Sequence, residues 1–342
     1  MRITLIDDSI PFDGYTPTGN PLGGAEKAFA SLPGALVRRG HQVTVFNRCR
    51  FRMTIEGAQW EPWETERPAE TDILIAYRKP GLLGGVRGAG KRLLWVSAAP
   101  RYLGSAAAKK ALDQFKPIVV LIGRTQHQAW SAPSAVRAVV IAPGLRYEYM
   151  AEQAATPMAP PRAIVTTHPL HGLDWLLTLW SRDIHPKVPA AQLHIYSNVL
   201  DRGAQGGEVP EEVRPVLAQA LAVRDRGVVI VPPKGDFAMA GDYRQARAHL
   251  YPGHAEDMGC FTLIESQSCG VPAVVRPLGA APERIRNGET GNAAPDDAAF
   301  ANLTIRLLTD DGAFWGMNRE AALHQRQRGW DQVAAEFEAV FK

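Results

Sequence analysis

The chain has 342 residues, too many for one ordinary domain and enough for two that each bury a core. Hydrophobic residues make up 46% and charged residues 21%, which excludes a disordered or fibrous chain. Lys and Arg number 38 against 35 Asp and Glu, and no basic run with interleaved aromatics occurs, so the electrostatic footprint of a nucleic-acid binder is missing.

From the N-terminus, short β-branched runs at 3–6, 42–46, 73–76, 92–96, 118–122 and 139–142 alternate with helical stretches, the pattern of a parallel sheet covered by helices. The first run reads as a strand, not as a cationic leader with an apolar core, and no apolar run of about twenty residues follows anywhere. A cytoplasmic protein is expected, with peripheral contact at an inner membrane face left open. Cys49, Cys260 and Cys269 show no C-x-x-C spacing and an odd count, so they read as packed hydrophobes rather than a disulfide framework.

The Ala- and Pro-rich stretch before Arg162 is poor helix or strand material and is expected to be a linker over 151–162, after a first domain at 1–150. A second domain at 163–328 repeats the pattern, with strands expected at 163–167, 192–196, 227–231, 248–251 and 273–276. Leu173, Leu176, Leu177, Trp180 and Ile184 recur at helical spacing and read as core. Trp330, Val333, Ala334, Phe337 and Phe341 form a second stripe on a terminal helix at 329–342, expected to dock across a domain. The fold class is therefore α/β with two doubly wound domains. In such sheets ligands sit beyond the carboxyl ends of strands, and a cleft between the two domains is the expected site.

Two segments after strands carry chemistry. In the first, a helix is expected near Cys260, closing at Gly270, and its first turn at Cys260, Phe261 and Thr262 offers backbone N–H groups to an anion such as a diphosphate. Asp257 and Glu265 flank that turn and are suited to accept hydrogen bonds from sugar or ribose hydroxyls. In the second, Gly23-Gly24-Ala25-Glu26 opens a helix after the first strand, where glycines let a ligand approach the backbone.

The 249–291 segment resembles the donor-binding signature of retaining GT-B glycosyltransferases, particularly family 4. Asp257 stands where that family has its first Glu, Glu265 is the second, Gly270-Val271-Pro272 follows, and Gly279-Ala280 with Glu283 takes the last turn. Gly23-Gly24 with Glu26 resembles the family's N-terminal Gly-Gly-x-Glu. The resemblance implies the GT-B arrangement of two Rossmann-like domains and transfer of a sugar from a UDP- or GDP-sugar donor. It further implies retention at the anomeric carbon, no required cofactor or metal, and a saccharide or lipid-linked acceptor. It assigns the ribose hydroxyls to Glu265 and a donor-sugar hydroxyl to Asp257. Thr166 replaces a family Arg and His171 a family Lys, so Lys234 or Arg276 is expected to supply charge beside His171. Ser97 stands where many relatives have a His, and Arg78 follows a strand end; both are candidates for the acceptor side with Glu26.

These departures keep a non-catalytic nucleotide-sugar or glycan binder of the same fold as the alternative. A nucleotide-sugar epimerase would need clustered acid and base groups that the sequence does not display. A dinucleotide dehydrogenase fits less well still, because no G-x-G-x-x-G follows the first strand and Gly23-Gly24 lacks its spacing.

Overall fold

The computed structural model describes residues 1–342, and they divide into two compact units, Met1–Arg146 with Arg328–Lys342, and Tyr147–Gln327. Unit 1 runs β1 (Arg2–Ile6), α1 (Thr16–Gly19), α2 (Gly24–Arg38), β2 (Gln42–Asn47), β3 (Met53–Ile55), β4 (Ala58–Pro62), β5 (Glu70–Tyr77), β6 (Gly88–Val96), α3 (Ala106–Phe115), β7 (Ile118–Leu121), α4 (Arg124–Gln128) and β8 (Ala138–Val140). Unit 2 follows with α5 (Tyr147–Met150), β9 (Arg162–Val165), α6 (Leu173–Leu179), β10 (Gln192–Tyr196), α7 (Asn198–Ala204), α8 (Arg214–Ala222), β11 (Val228–Val231), α9 (Asp236–Arg244), β12 (Ala248–Tyr251), α10 (Phe261–Ser268), β13 (Ala273–Val275), β14 (Gly291–Ala293), α11 (Asp297–Thr309) and α12 (Asp311–Gln325). The last helix, α13 (Trp330–Phe341), returns to unit 1.

The sheet of unit 1 has the order β3-β4-β2-β1-β5-β6-β7-β8, and that of unit 2 the order β11-β10-β9-β12-β13-β14. Every pairing is parallel except β3 with β4. Central strands such as β5 are buried on both faces, which is why Leu74, Ile75 and Ala76 read as an unbroken apolar run rather than an alternation. Each sheet reverses direction of growth once, between β1 and β5 in unit 1 and between β9 and β12 in unit 2. At these points neighbouring strands send their following loops to opposite faces, leaving a crevice at the carboxyl ends.

Three elements differ from the reading of the sequence. The hairpin β3–β4 was invisible because its strands are short. Its turn is Glu56-Gly57, with φ of 49° and 82°, a two-residue hairpin turn without the usual Asn-Gly or Asp-Gly. β14 is three residues containing no β-branched side chain. The stretch 151–162 is held on unit 2 rather than lying between domains: Thr156 and Met158 donate backbone N–H groups to Arg244 and Gln245 carbonyls, at 2.8 and 3.1 Å. Those carbonyls close α9, so the stretch satisfies acceptors that any helix C-terminus leaves open. Unit 2 accordingly begins earlier, at Tyr147, whose neighbour Tyr149 donates its hydroxyl to Asp236 at 2.7 Å.

An aromatic series runs through unit 1, Phe12 to Phe29 to Tyr77 to Trp95, with ring centroids 5.9, 5.1 and 4.9 Å apart. α13 extends it, placing Phe337 5.2 Å and Trp330 6.3 Å from Trp95. Lys91 Nζ donates to the Phe341 carbonyl at 2.6 Å, a charge-assisted bond at the negative end of the helix. No helix is long and apolar enough to cross a membrane. Phe337 is fully buried, so Phe337→Ala should cost about 3–5 kcal/mol by transfer and cavity terms. A urea titration reads this as a lowered midpoint, whereas Leu323→Ala, at an exposed position, should leave the midpoint unchanged.

Candidate functional site

At the switch point of unit 2, β9 ends at Val165 and leads into Thr166, Thr167 and His168, while β12 ends at Tyr251 and leads into the loop 252–260 and α10. On β12 the period of two places His249 and Tyr251 on one face, under α10, and Leu250 on the other, in the apolar core. His249 is fully buried, with Nε2 3.0 Å from Thr166 Oγ1 and Nδ1 2.8 Å from Ser266 Oγ. Burial pushes its imidazole down to about 3, so it is neutral at physiological pH. Thr166 Oγ1 in turn lies 2.8 Å from Thr262 Oγ1 in the first turn of α10.

The loop before α10 is irregular but tied. Asp257 accepts from the Tyr251 hydroxyl on one oxygen and from the Cys260 N–H, at 3.1 Å, on the other. Arg284, buried, donates to the carbonyls of Gly259 and Met258 at 3.1 and 3.3 Å. Gly279, at φ +56°, lies so close to the loop that a Cβ there would collide with the carbonyl oxygens of His254 and Asp257. Cys260 adopts φ 46° and its buried thiol is pushed far up, so it contributes backbone geometry and not a nucleophile.

The expected site residues separate into those gathered here and those held elsewhere. Thr166, Asp257, Cys260, Phe261 and Thr262 surround the start of α10, and Glu265 is buried one turn further along. His171 stacks on His254, ring centroids 4.4 Å apart, with His168 at 5.3 Å. Burial first, then the neighbouring histidines, lowers the His171 pKa below its ordinary value. Arg276 stacks over Trp175 at 4.5 Å, and a side chain at Gly172, φ +83°, would meet both its guanidinium and Pro252. It is thus a cation at the mouth of this crevice. Lys234 is not: it follows the edge strand β11, two strands away, and pairs with Asp242 at 2.7 Å.

The switch point of unit 1 is charged. Asp7 follows β1 and Arg78 follows β5; Arg78 donates to Glu26 at 2.7 Å and reaches Asp7 at 3.5 Å. Lys79 pairs with Asp8 at 2.6 Å in the same way. Arg78 sits at φ 62°, with its carbonyl accepting from the Tyr102 hydroxyl and its N–H donating to Trp95 at 2.8 Å. A non-glycine residue in that conformation needs such over-determination by its surroundings. Gly23 precedes α2 as its N-cap, Gly24 is the first helical residue and Glu26 lies in the first turn. Ser97, just past β6, is buried. Burial raises the Asp7 pKa despite its bonds to Ser9 and the charge of Arg78.

Asp7, His249 and Arg284 are the members sequence reasoning passed over. Asp7 follows a strand at a switch point, a position that a strand-order guess would have marked. His249 and Arg284 act through buried contacts that no spacing displays.

Arg78→Met should destabilise unit 1 by on the order of 2 kcal/mol at pH 7, because it strands two carboxylates in a partly buried place. Without the cation the already raised Asp7 pKa rises further, so the deficit should shrink as pH falls and Asp7 takes up a proton; denaturant midpoints at pH 7 and 5 measure this. His249 carries the opposite sign. The unfolded chain binds its proton near pH 6.5 and the folded one only near 3, so wild-type stability is lost as pH falls through that window. The contribution is at most about 1.4 kcal/mol per pH unit and should be absent from the midpoint series of His249→Gln.

Residues 161–310, which contain the whole of the unit 2 crevice, match the family model of glycosyl transferases group 1. Among curated proteins, D-inositol 3-phosphate glycosyltransferase of Acidothermus cellulolyticus is 33% identical over 135 residues, 39% of this chain and 29% of that protein. The enzyme of the same name from Rhodococcus jostii is 26% identical over 207 residues, 57% of this chain and 45% of that protein. The matches thus span less than half the length of these relatives. Solved structures extend the likeness to the whole fold. Sucrose-phosphate synthase from Thermosynechococcus elongatus superposes with a TM-score of 0.73 at 16% identity, covering 99% of this chain and 98% of that one. Anabaena HepE, solved with UDP and glucose, does so with a TM-score of 0.72 at 14% identity, covering 99% of both. The chain has the GT-B fold, and its residues 161–310 are similar to the group 1 glycosyl transferases.

Proposed function

We propose that the protein transfers a sugar from a nucleoside-diphosphate sugar to a hydroxyl acceptor, with retention at the anomeric carbon. The observation that carries this reading is the start of α10 at the unit 2 switch point, where first-turn N–H groups and the Thr262 hydroxyl adjoin a buried Glu265 and the cation of Arg276. Diphosphate oxygens take the N–H groups, and Glu265 takes the ribose hydroxyls. Asp257 uses its oxygens to hold Tyr251 and the α10 entry, so its contact to a donor-sugar hydroxyl shares a lone pair with those bonds. A UDP donor is supported by HepE, whose structures contain UDP-glucose or UDP with glucose.

In the reaction the bond from the anomeric carbon to the diphosphate oxygen breaks and a bond from that carbon to the acceptor oxygen forms. The acceptor proton passes to the departing phosphate oxygen. Charge accumulating on the diphosphate is stabilised by helix N–H groups, Thr262 and Arg276, which is electrostatic rather than acid–base catalysis. In unit 1 the Asp7, Glu26 and Arg78 cluster offers alternating acceptors and donors to a polyol, and we assign it to the acceptor, a saccharide either free or lipid-linked.

His171 and Thr166, in places where the resemblance implies a Lys and an Arg, favour one second reading, a binder without turnover. Titration calorimetry with UDP- and GDP-sugars, followed by assay of sugar release and transfer, separates the two. Wild type should bind one donor and transfer it. Glu265→Ala should weaken binding by about tenfold or more, the loss of hydrogen bonds to a charged acceptor. Binding with neither hydrolysis nor transfer to any acceptor would favour the second reading, and no binding of either donor would sink both.

A further inference from the structure

The crevice of unit 2 has a floor that packing alone does not require. A buried imidazole and three hydroxyls sit under the first turn of α10, in the order Ser266, His249, Thr166, Thr262, with successive separations of 2.8, 3.0 and 2.8 Å. Ser266 and His249 are fully enclosed, while Thr262 is half-buried, so the chain leads from the core to the crevice. An apolar side chain at 249 would fill strand β12 at lower cost, since a buried polar chain is favourable only when every member is satisfied.

The chain can satisfy its members in only two ways. In one, Ser266 donates to Nδ1, Nε2–H donates to Thr166, Thr166 donates to Thr262, and the Thr262 proton points outward. In the other every bond is reversed, Nδ1–H donates to Ser266, and Ser266 donates to the Leu263 carbonyl, 3.3 Å away. The Thr262 oxygen then offers lone pairs to the crevice. A neutral imidazole moves between the two by changing tautomer, and its low proton affinity in the core keeps it from adding a charge.

We propose that His249 is a positioning residue for the donor diphosphate: an anionic oxygen at α10 selects the outward arrangement, and His249 locks the Thr262 hydroxyl as a donor to it. Ser266, His249 and Thr166 thereby replace the cation that the resemblance implies at position 166 with an oriented, uncharged donor. Thr262 is the group that touches the ligand, and His249 acts through Thr166. The inference rests on the donor reading above and deepens it.

The test uses the full chain with UDP and uridine as probes, or GDP and guanosine if the donor screen selects guanine. Affinities are measured by calorimetry and by ligand-observed NMR, and the His249 ring nitrogens are followed by 15N NMR. In wild type, UDP should bring the ring into the Nε2–H tautomer. Thr262→Val and His249→Phe should weaken UDP by about tenfold while leaving uridine unchanged, the loss of one hydrogen bond to a charged group. Thr262→Ser, which keeps the hydroxyl, should bind UDP as wild type does. If His249→Phe does not fold, Thr262→Val and the wild-type tautomer still decide the matter. UDP affinity unchanged in Thr262→Val overturns the proposal, as does an Nδ1–H tautomer in the UDP complex. A parallel fall of UDP and uridine overturns it too, reducing the chain to a structural element. Wild type binding no nucleotide at all instead overturns the donor reading on which it stands.

Discussion

Everything at the end of β12 depends on satisfying the backbone of the loop 252–260, which has no strand or helix partner of its own. Buried N–H and C=O groups must be hydrogen-bonded, and here each bond is made by a residue that also shapes the crevice. Arg284 takes the carbonyls of Met258 and Gly259, Asp257 takes the Cys260 N–H, and Asp257 gives its own carbonyl to Ala280 at 2.9 Å. Gly279 has no Cβ because the loop occupies that space. The loop holds Cys260 at positive φ, and that conformation directs the first turn of α10. A segment without regular structure is thus as fixed as the elements around it.

The same economy applies to charge. At unit 1 acids and bases alternate across the switch point, Asp7 with Arg78 and Asp8 with Lys79, so the crevice has many polar groups and little net field. At unit 2 the floor is neutral, and the cation stands to the side on Trp175. In the proposed reaction, anion binding there would draw on the oriented dipoles of a helix start and its hydroxyls more than on ion pairs, which suits a group that must leave.

The layout of strands was legible because parallel strands buried on both faces carry long β-branched runs, and because Gly23-Gly24 and Gly270-Val271-Pro272 punctuate helices in a recognisable way. Elements that failed this rule were missed: β3 and β4 are short and edge-side, and β14 is Gly-Asn-Ala. For the site, backbone-led features such as the α10 start could be read from spacing. Partnerships could not. Lys234 looked like an available cation until its place beside Asp242 was known, and His249 looked like an ordinary strand residue until the hydroxyls on either side of it were. Both outcomes are set by contacts 8 to 83 residues away in the chain, which no local pattern encodes.

The return of α13 to unit 1 has a consequence for how the protein is made. Trp95 is covered by Trp330 and Phe337, which leave the ribosome only after all of unit 2 has been synthesised. Domains usually complete in the order of their translation. Here the order is inverted: the first unit to emerge waits with an open aromatic face while the second closes, and the nascent chain offers that face to chaperones for most of its elongation.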